Sequence, residues 1–158
     1  MKVAALITWL ITAGGGFYLL GTWVARGGLR QQQSRTTRLP APLIFGHFLF
    51  AAAGLIVWII YLAAGTAALA WAAFIILLPV ALLGFTMFAR WLGTYRNQAA
   101  TPVFATAGGG SSGGAAPGDG AAVPAERHFP VPVVAAHGVL AAATLVLVLL
   151  TALGAGGS

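Results

Sequence analysis

Residues 42–64 read PLIFGHFLFAAAGLIVWIIYLAA, an apolar run that holds one histidine, His47, and no acidic or basic partner for it. A run of this length is enough for an α-helix to cross the hydrocarbon core of a bilayer, which takes about 20 residues. Three further stretches qualify, so we predict helices at about 3–25, 42–64, 67–88 and 131–153. The sequence therefore predicts an all-α fold: an integral membrane four-helix bundle, formed as a single domain over residues 1–158.

The composition excludes a water-soluble globule. Of the 158 residues, 59% are hydrophobic and 6% are charged, whereas a soluble domain carries about a quarter charged residues. The net charge is +6, but the arginines are spaced between apolar spans and form no basic face, so no nucleic acid is expected as a partner. The expected partner is the lipid bilayer, with another membrane protein or a second copy of the chain left open. The absence of cysteine excludes disulfides, Cys-ligated zinc and iron–sulfur clusters.

The basic residues predict the orientation of the chain. They collect in two connections, the one after the first helix and the one after the third; these arginines are Arg26, Arg30, Arg35, Arg38, Arg90, Arg96 and Arg127. The short link around Gly65 carries none. Because basic residues are enriched in cytoplasmic loops, we predict both connections to be cytoplasmic and both termini to lie outside the plasma membrane of a bacterium. Lys2 is the one basic residue on the other side.

Three local features complete the predicted organisation. Residues 97–125 are rich in glycine, serine and alanine and predict a flexible cytoplasmic loop. The first apolar run is longer than the h-region of a signal peptide, about 7–15 residues, so we expect a retained helix. Pro79 should kink the third helix and free the carbonyl of Ile75. The two helical-hairpin halves of the chain do not match in sequence, and we infer no internal repeat.

His47 and His137 bear most directly on function. An ionisable side chain in hydrocarbon is costly, so such residues are rare and tend to be paired or functional. At 1.5 Å per residue, His47 should lie about 8 Å and His137 about 10 Å from the cytoplasmic ends of their helices. Both helices run from inside to outside, so the two imidazoles are expected at nearly one depth. Small residues share their helical faces: Ala51 and Gly54 for His47, Ala141 and Thr144 for His137.

Two histidines on facing helices at one depth are a usual way to hold a b-type haem in a four-helix bundle. We therefore predict that His47 and His137 are axial ligands of a haem iron. The arginines expected to contact the haem propionates at the cytoplasmic interface are Arg38, Arg90 and Arg127. The alternative is a non-enzymatic accessory or assembly protein whose histidines only bond helices together. Roles with protons, quinones or other metals also stay open. His128 is expected at the interface, solvated.

The acidic residues limit the other functions. No acidic side chain lies in a predicted span, which disfavours a small transporter or channel component. The two acids of the chain, Asp119 and Glu126, fall in a loop, so no paired-carboxylate or Ser–His–Asp site can be assembled. We expect no catalysis by side chains, and a redox subunit is the activity that remains.

Several segments carry a resemblance. They are LPAPLIFGH at 39–47, WIIYL at 58–62, GFTMFARWL at 84–92 and ERHFPVPVVAAHG at 126–138. These segments resemble small four-helix membrane proteins of high-GC actinobacteria, and the likeness covers nearly all of the chain outside the glycine-rich loop. It implies the membrane location and the helical fold but no activity. A looser likeness, of fold alone, is to small bis-histidine membrane cytochromes b. Those proteins often hold two haems with four histidines; only two histidines lie in spans here, so no second haem is expected.

Overall fold

The computed structural model describes residues 1–99 and 123–155, and most of the predicted loop 97–125 lies outside those ranges. Within them the chain is helical, with α1 at Lys2–Ala25, α2 at Gly28–Gln31, α3 at Ala41–Ala64, α4 at Ala67–Ala99 and α5 at Val131–Ala152. A 3₁₀ turn at Ala125–His128 precedes α5. All of these helices except α2 are long and apolar enough to cross a membrane. The predicted fold class, an all-α membrane four-helix bundle, is confirmed.

Proline and glycine set the helix ends. α3 follows Pro40 and α5 follows Pro130, each in an extended conformation, and each helix has a second proline in its first turn. Proline suits these positions because its fixed φ matches the helix and its missing N–H has no intrahelical partner there. α3 ends at Gly65, whose φ of 71° is left-handed and whose N–H donates to the Tyr61 carbonyl. Glycine reaches that conformation without steric cost.

α4 extends further than the apolar pattern predicts. The predicted end near residue 88 is where the apolar run meets Arg90, but the helix continues to Ala99. No proline interrupts residues 89–99, so nothing in the backbone stops the helix where its hydrophobicity falls. Arg90 therefore lies on a helix and not in a loop. The helix also continues through Pro79. Beyond residue 88, the ring of Trp91 stacks on Tyr95 with centroids 5.5 Å apart.

The four long helices pack in two strong pairs, α3 with α4 and α1 with α5. α4 also packs on α5 and α1 packs more loosely on α3, whereas α1 with α4 and α3 with α5 make almost no contact. α1 therefore faces α4 across the bundle, and α3 faces α5. One buried cluster, which includes Trp9, Trp58 and Val148, fills the half of the bundle near the α3–α4 link. A second, with Trp23, Leu39 and Ile44, fills the other half, which we call the arginine-bearing end. Large apolar side chains such as Phe85 point outward, as expected for a surface that meets lipid.

Candidate functional site

The two membrane histidines lie on helices that face each other across the bundle, His47 on α3 and His137 on α5. Their ring centroids are 6.3 Å apart, and the ring planes are inclined by 54°. Both side chains are largely withdrawn from the surface. The structure thus places the imidazoles at one level and next to each other, which is the arrangement that the sequence analysis expected.

Each imidazole is fixed by a hydrogen bond to the backbone of a neighbouring helix. His47 Nδ1 lies 2.9 Å from the Val80 carbonyl oxygen of α4, and His137 Nδ1 lies 3.0 Å from the Thr12 carbonyl oxygen of α1. A carbonyl can only accept, so each Nδ1 carries the proton and donates. In the neutral ring the Nε2 atom then keeps a lone pair. Metal-bound histidines commonly have this arrangement, because a bond from the second nitrogen fixes the tautomer and the ring orientation.

A glycine makes room for each ring. Gly84 follows Val80 by four residues on α4, and a Cβ there would come 3.0 Å from His47 Cε1. Gly16 follows Thr12 by four residues on α1, and a Cβ there would come 3.1 Å from His137 Cε1. In a helix the residue at i+4 covers the carbonyl of residue i. A side chain at either position would therefore obstruct the approach of the imidazole to its acceptor.

The matching positions of Gly16 and Gly84 expose an internal repeat that the sequence analysis missed. The helix that supplies the carbonyl carries Gly-Phe and then Trp, and the helix that supplies the histidine begins Pro-x-Pro-x₄-His. In the first half the residues are Gly16, Phe17, Trp23, Pro40, Pro42 and His47; in the second they are Gly84, Phe85, Trp91, Pro130, Pro132 and His137. The spacing within each motif is identical. The glycine-rich loop lengthens the link between the two motifs in the second half, which obscures the match.

Burial follows the same repeat. Ala5 on α1 and Ala73 on α4 each lie eleven residues before the glycine, and both are fully buried. Gly54 and Thr144, seven residues after their histidines, are also buried. The His47 ring contacts α4 and the His137 ring contacts α1, so each half of the chain holds the histidine of the other. Equivalent helices run in the same direction, so the two halves are parallel repeats, and their approximate two-fold axis runs along the bundle.

The halves differ beside the histidines. A groove of about 320 Å³ borders His137, lined by Ile11, Gly15, Pro132, Ala136 and Leu140 among others. The position equivalent to Gly15 is Leu83, and its side chain lies close to Gly46, 3.9 Å from where a Cβ would stand. The second half thus has a leucine where Gly15 lines the groove that borders His137.

The predicted propionate contacts separate into two groups. Arg38 and Arg90 line one recess at the arginine-bearing end, and Arg90 Nη1 donates to the Arg38 carbonyl at 3.1 Å. Arg127 is exposed on the 3₁₀ turn and does not line that recess. His128 is exposed beside it, with Nδ1 3.3 Å from the Ala125 carbonyl of its own turn. Arg38 and Arg90 are therefore brought together, whereas Arg127 and His128 stand apart.

Glu126 has a structural role that sequence reasoning overlooked. Its side chain is fully buried. Its carboxylate accepts hydrogen bonds from the Thr37 hydroxyl at 2.7 Å and from the Arg38 backbone N–H at 2.6 Å. Gln31 ties the same two segments together through Val123 and Ala125. The signal in the sequence was that an acid stands next to the start of a membrane span, where it needs a partner.

The pair of histidines can support only certain kinds of metal site. Within residues 1–99 and 123–155 there is no group of three or more His, Cys, Asp or Glu side chains that could hold a metal ion. A closed structural zinc site needs four protein ligands. Haem iron needs only one or two from the protein, because the porphyrin supplies the others. No family model, curated protein or solved structure matches this chain.

Proposed function

We propose that the protein is a small b-type haem subunit of the membrane, with His47 and His137 as the axial ligands. The observation that carries the proposal is the convergence of the two rings, 6.3 Å apart, with each Nδ1 donating to a backbone carbonyl. If one iron were held by the Nε2 atoms of His47 and His137, metal–nitrogen bonds of about 2 Å would require the two rings to lie about this close together.

The surrounding residues suit this role. Haem iron supplies one-electron redox chemistry when bound. The chain would contribute two Nε2 lone pairs in a fixed tautomer and apolar walls that exclude water. Gly16 and Gly84 keep side chains away from the rings. Arg38 and Arg90 remain the candidate propionate contacts, whereas the position of Arg127 gives it less support. A redox subunit also needs an electron partner, which we expect to be another membrane protein or a second copy of this chain.

The second candidate function is a non-enzymatic accessory or assembly protein with structural histidines. The cross-helix hydrogen bonds of both imidazoles favour it, because such bonds stabilise membrane helices without any cofactor. For either function we propose the same orientation, with the arginine-bearing end in the cytoplasm of a bacterial cell and both termini outside.

Absorbance of the purified protein from haem-replete cells separates the two functions. We expect a reduced-minus-oxidised α-band of b type and one haem per chain. The variants His47→Ala and His137→Ala should both lose the band. His128→Ala is the matched control and should keep the band, since His128 is exposed on the 3₁₀ turn with its Nδ1 beside the Ala125 carbonyl. A colourless wild-type protein would reject haem binding and leave the accessory function.

A further inference from the structure

An open recess at the arginine-bearing end concentrates positive charge. It has a volume of about 360 Å³ and lies between the segment before α3 and the last third of α4. Its lining includes Gln32, Arg35, Thr37, Arg38, Arg90 and Gly93. No acidic residue is among the described residues that line it. Glu126 lies nearby, but its two oxygens face the Thr37 hydroxyl and the Arg38 amide. Within residues 1–99 and 123–155, therefore, no carboxylate in the recess offsets the mutual repulsion of the three guanidinium groups.

The backbone around the recess is fixed in place. Glu126 anchors the Arg38 amide, Arg90 donates to the Arg38 carbonyl, and Gln32 Nε2 donates to the Leu39 carbonyl at 2.8 Å. Arg38 lies against α4 at Gly93, where a Cβ would make an ordinary contact, 3.5 Å from Arg38 Nη1. Arg35 has a φ of 54°, a conformation that residues other than glycine seldom adopt. The backbone that carries the arginines is thus held in place by these hydrogen bonds, while the arginine side chains stay exposed.

The recess stands at the level of lipid headgroups. The candidate membrane span in α4 is Ala67–Arg96. Counted from Ala67 at 1.5 Å per residue, Arg90 lies about 35 Å along the helix, just beyond a hydrocarbon core of about 30 Å. Trp91 and Tyr95, stacked next to it, are the residue types found at that interface. Lipid phosphates lie at the same level, and arginine binds phosphate through paired hydrogen bonds.

We propose that this recess binds the phosphate of an anionic phospholipid headgroup. The proposal does not require bound haem, but it replaces the propionate role suggested above for Arg38 and Arg90, because both anions would need the same two guanidinium groups. Arg35 completes the site. A soluble phosphate offers the same chemistry, so the test must separate the lipid from the free anion.

The experiment measures the melting temperature of the full chain in detergent as phosphatidylglycerol is titrated in. Parallel titrations use phosphatidylcholine and inorganic phosphate. We expect phosphatidylglycerol to raise the melting temperature while the other two do not. Arg90→Gln should raise the half-maximal lipid concentration about tenfold, the loss expected for one charge-assisted contact. Arg30→Gln removes the same charge from an exposed residue outside the recess, and it should shift that concentration less than twofold.

Arg90→Lys distinguishes a binding defect from a folding defect, because it keeps the charge but loses the paired hydrogen bonds. It should raise the half-maximal lipid concentration by an intermediate amount. The proposal is overturned if Arg30→Gln and Arg90→Gln shift the titration equally, since the effect would then be diffuse surface charge. It is also overturned if inorganic phosphate stabilises as well as the lipid, or if phosphatidylglycerol has no effect. The melting temperature does not depend on haem absorbance, so a missing α-band leaves this result unchanged.

Discussion

The three consecutive glycines of α1 offer a graded test of how closely His137 is held. A Cβ at Gly14 would meet nothing within 4 Å, a Cβ at Gly15 would lie 3.5 Å from His137 Nδ1, and a Cβ at Gly16 would lie 3.1 Å from His137 Cε1. Alanine is favoured over glycine within a helix by about 1 kcal/mol in water. Gly14→Ala should therefore be neutral or stabilising, and Gly15→Ala should be tolerated as an ordinary contact.

Gly16→Ala should push the imidazole off the Thr12 carbonyl. A cross-helix hydrogen bond within a membrane contributes about 0.6 kcal/mol on average and up to about 1.7, and the displaced ring adds a packing cost. We expect Gly16→Ala to be less stable than Gly14→Ala by about 1–2 kcal/mol, with both changes made in the same helix and in the same residue type. If haem binds, Gly16→Ala should also lower haem occupancy, while Gly14→Ala should not.

The assay is reversible unfolding in mixed micelles, followed by helical circular dichroism, with haem content measured on the same samples. Gly84→Ala supplies the equivalent test at His47, where a Cβ would lie 3.0 Å from Cε1. Equal stabilities for Gly14→Ala and Gly16→Ala would refute the argument, because they would show that the ring does not depend on the space above Thr12.

Two further predictions address the arginine-bearing end and the orientation. Glu126→Gln should destabilise the protein by about 1–2 kcal/mol, because it weakens the charge-assisted hydrogen bonds from Thr37 and Arg38. Glu126→Ala should destabilise it more, because both donors lose their acceptor. Chemical unfolding in micelles measures both variants, and an unchanged unfolding midpoint for Glu126→Ala would contradict the structural role of the carboxylate. The chain has no cysteine, so a single introduced cysteine reports on which side of the membrane its position lies. A membrane-impermeant maleimide added to intact cells should label Thr66→Cys and leave Ser34→Cys unlabelled. The reverse pattern would invert the proposed topology.

The fold class was predictable because it depends on coarse properties. The length and apolarity of the spans predict four helices, and the prolines before α3 and α5 mark two of their starts. The end of α4 was not predictable in the same way. Hydropathy falls at Arg90, but a helix ends where its backbone hydrogen bonds cannot continue, and nothing in residues 89–99 prevents them. Hydropathy measures where a span leaves the lipid and not where its helix stops.

The pair of histidines was predictable from the sequence, whereas the backbone groups and glycines that hold the two rings were not. His47 and His137 stand out because histidine is rare in an apolar run. Their acceptors are backbone carbonyls, to which any residue type contributes, so Thr12 and Val80 carry no signal of their own. Gly16 and Gly84 do carry a signal, but many glycines surround them. The repeat becomes visible only when the structure shows which glycine faces which histidine.

The repeat also bears on the choice between histidines that hold a cofactor and histidines that only bond helices together. A histidine that only bonds two helices can do so at any distance from the centre of the bundle, as Thr144 does with Thr8 between α5 and α1. The repeat by itself places both histidines at one level, but it does not require them to lie next to each other across the approximate two-fold axis, with their rings 6.3 Å apart. Two histidines that each bond only a neighbouring helix gain no stability from lying next to each other. Two adjacent imidazoles also repel each other if both are protonated. A ligand on the axis, in contrast, contacts both halves equally and requires this convergence. The distance between the two rings is therefore the feature on which the proposal of a shared ligand rests.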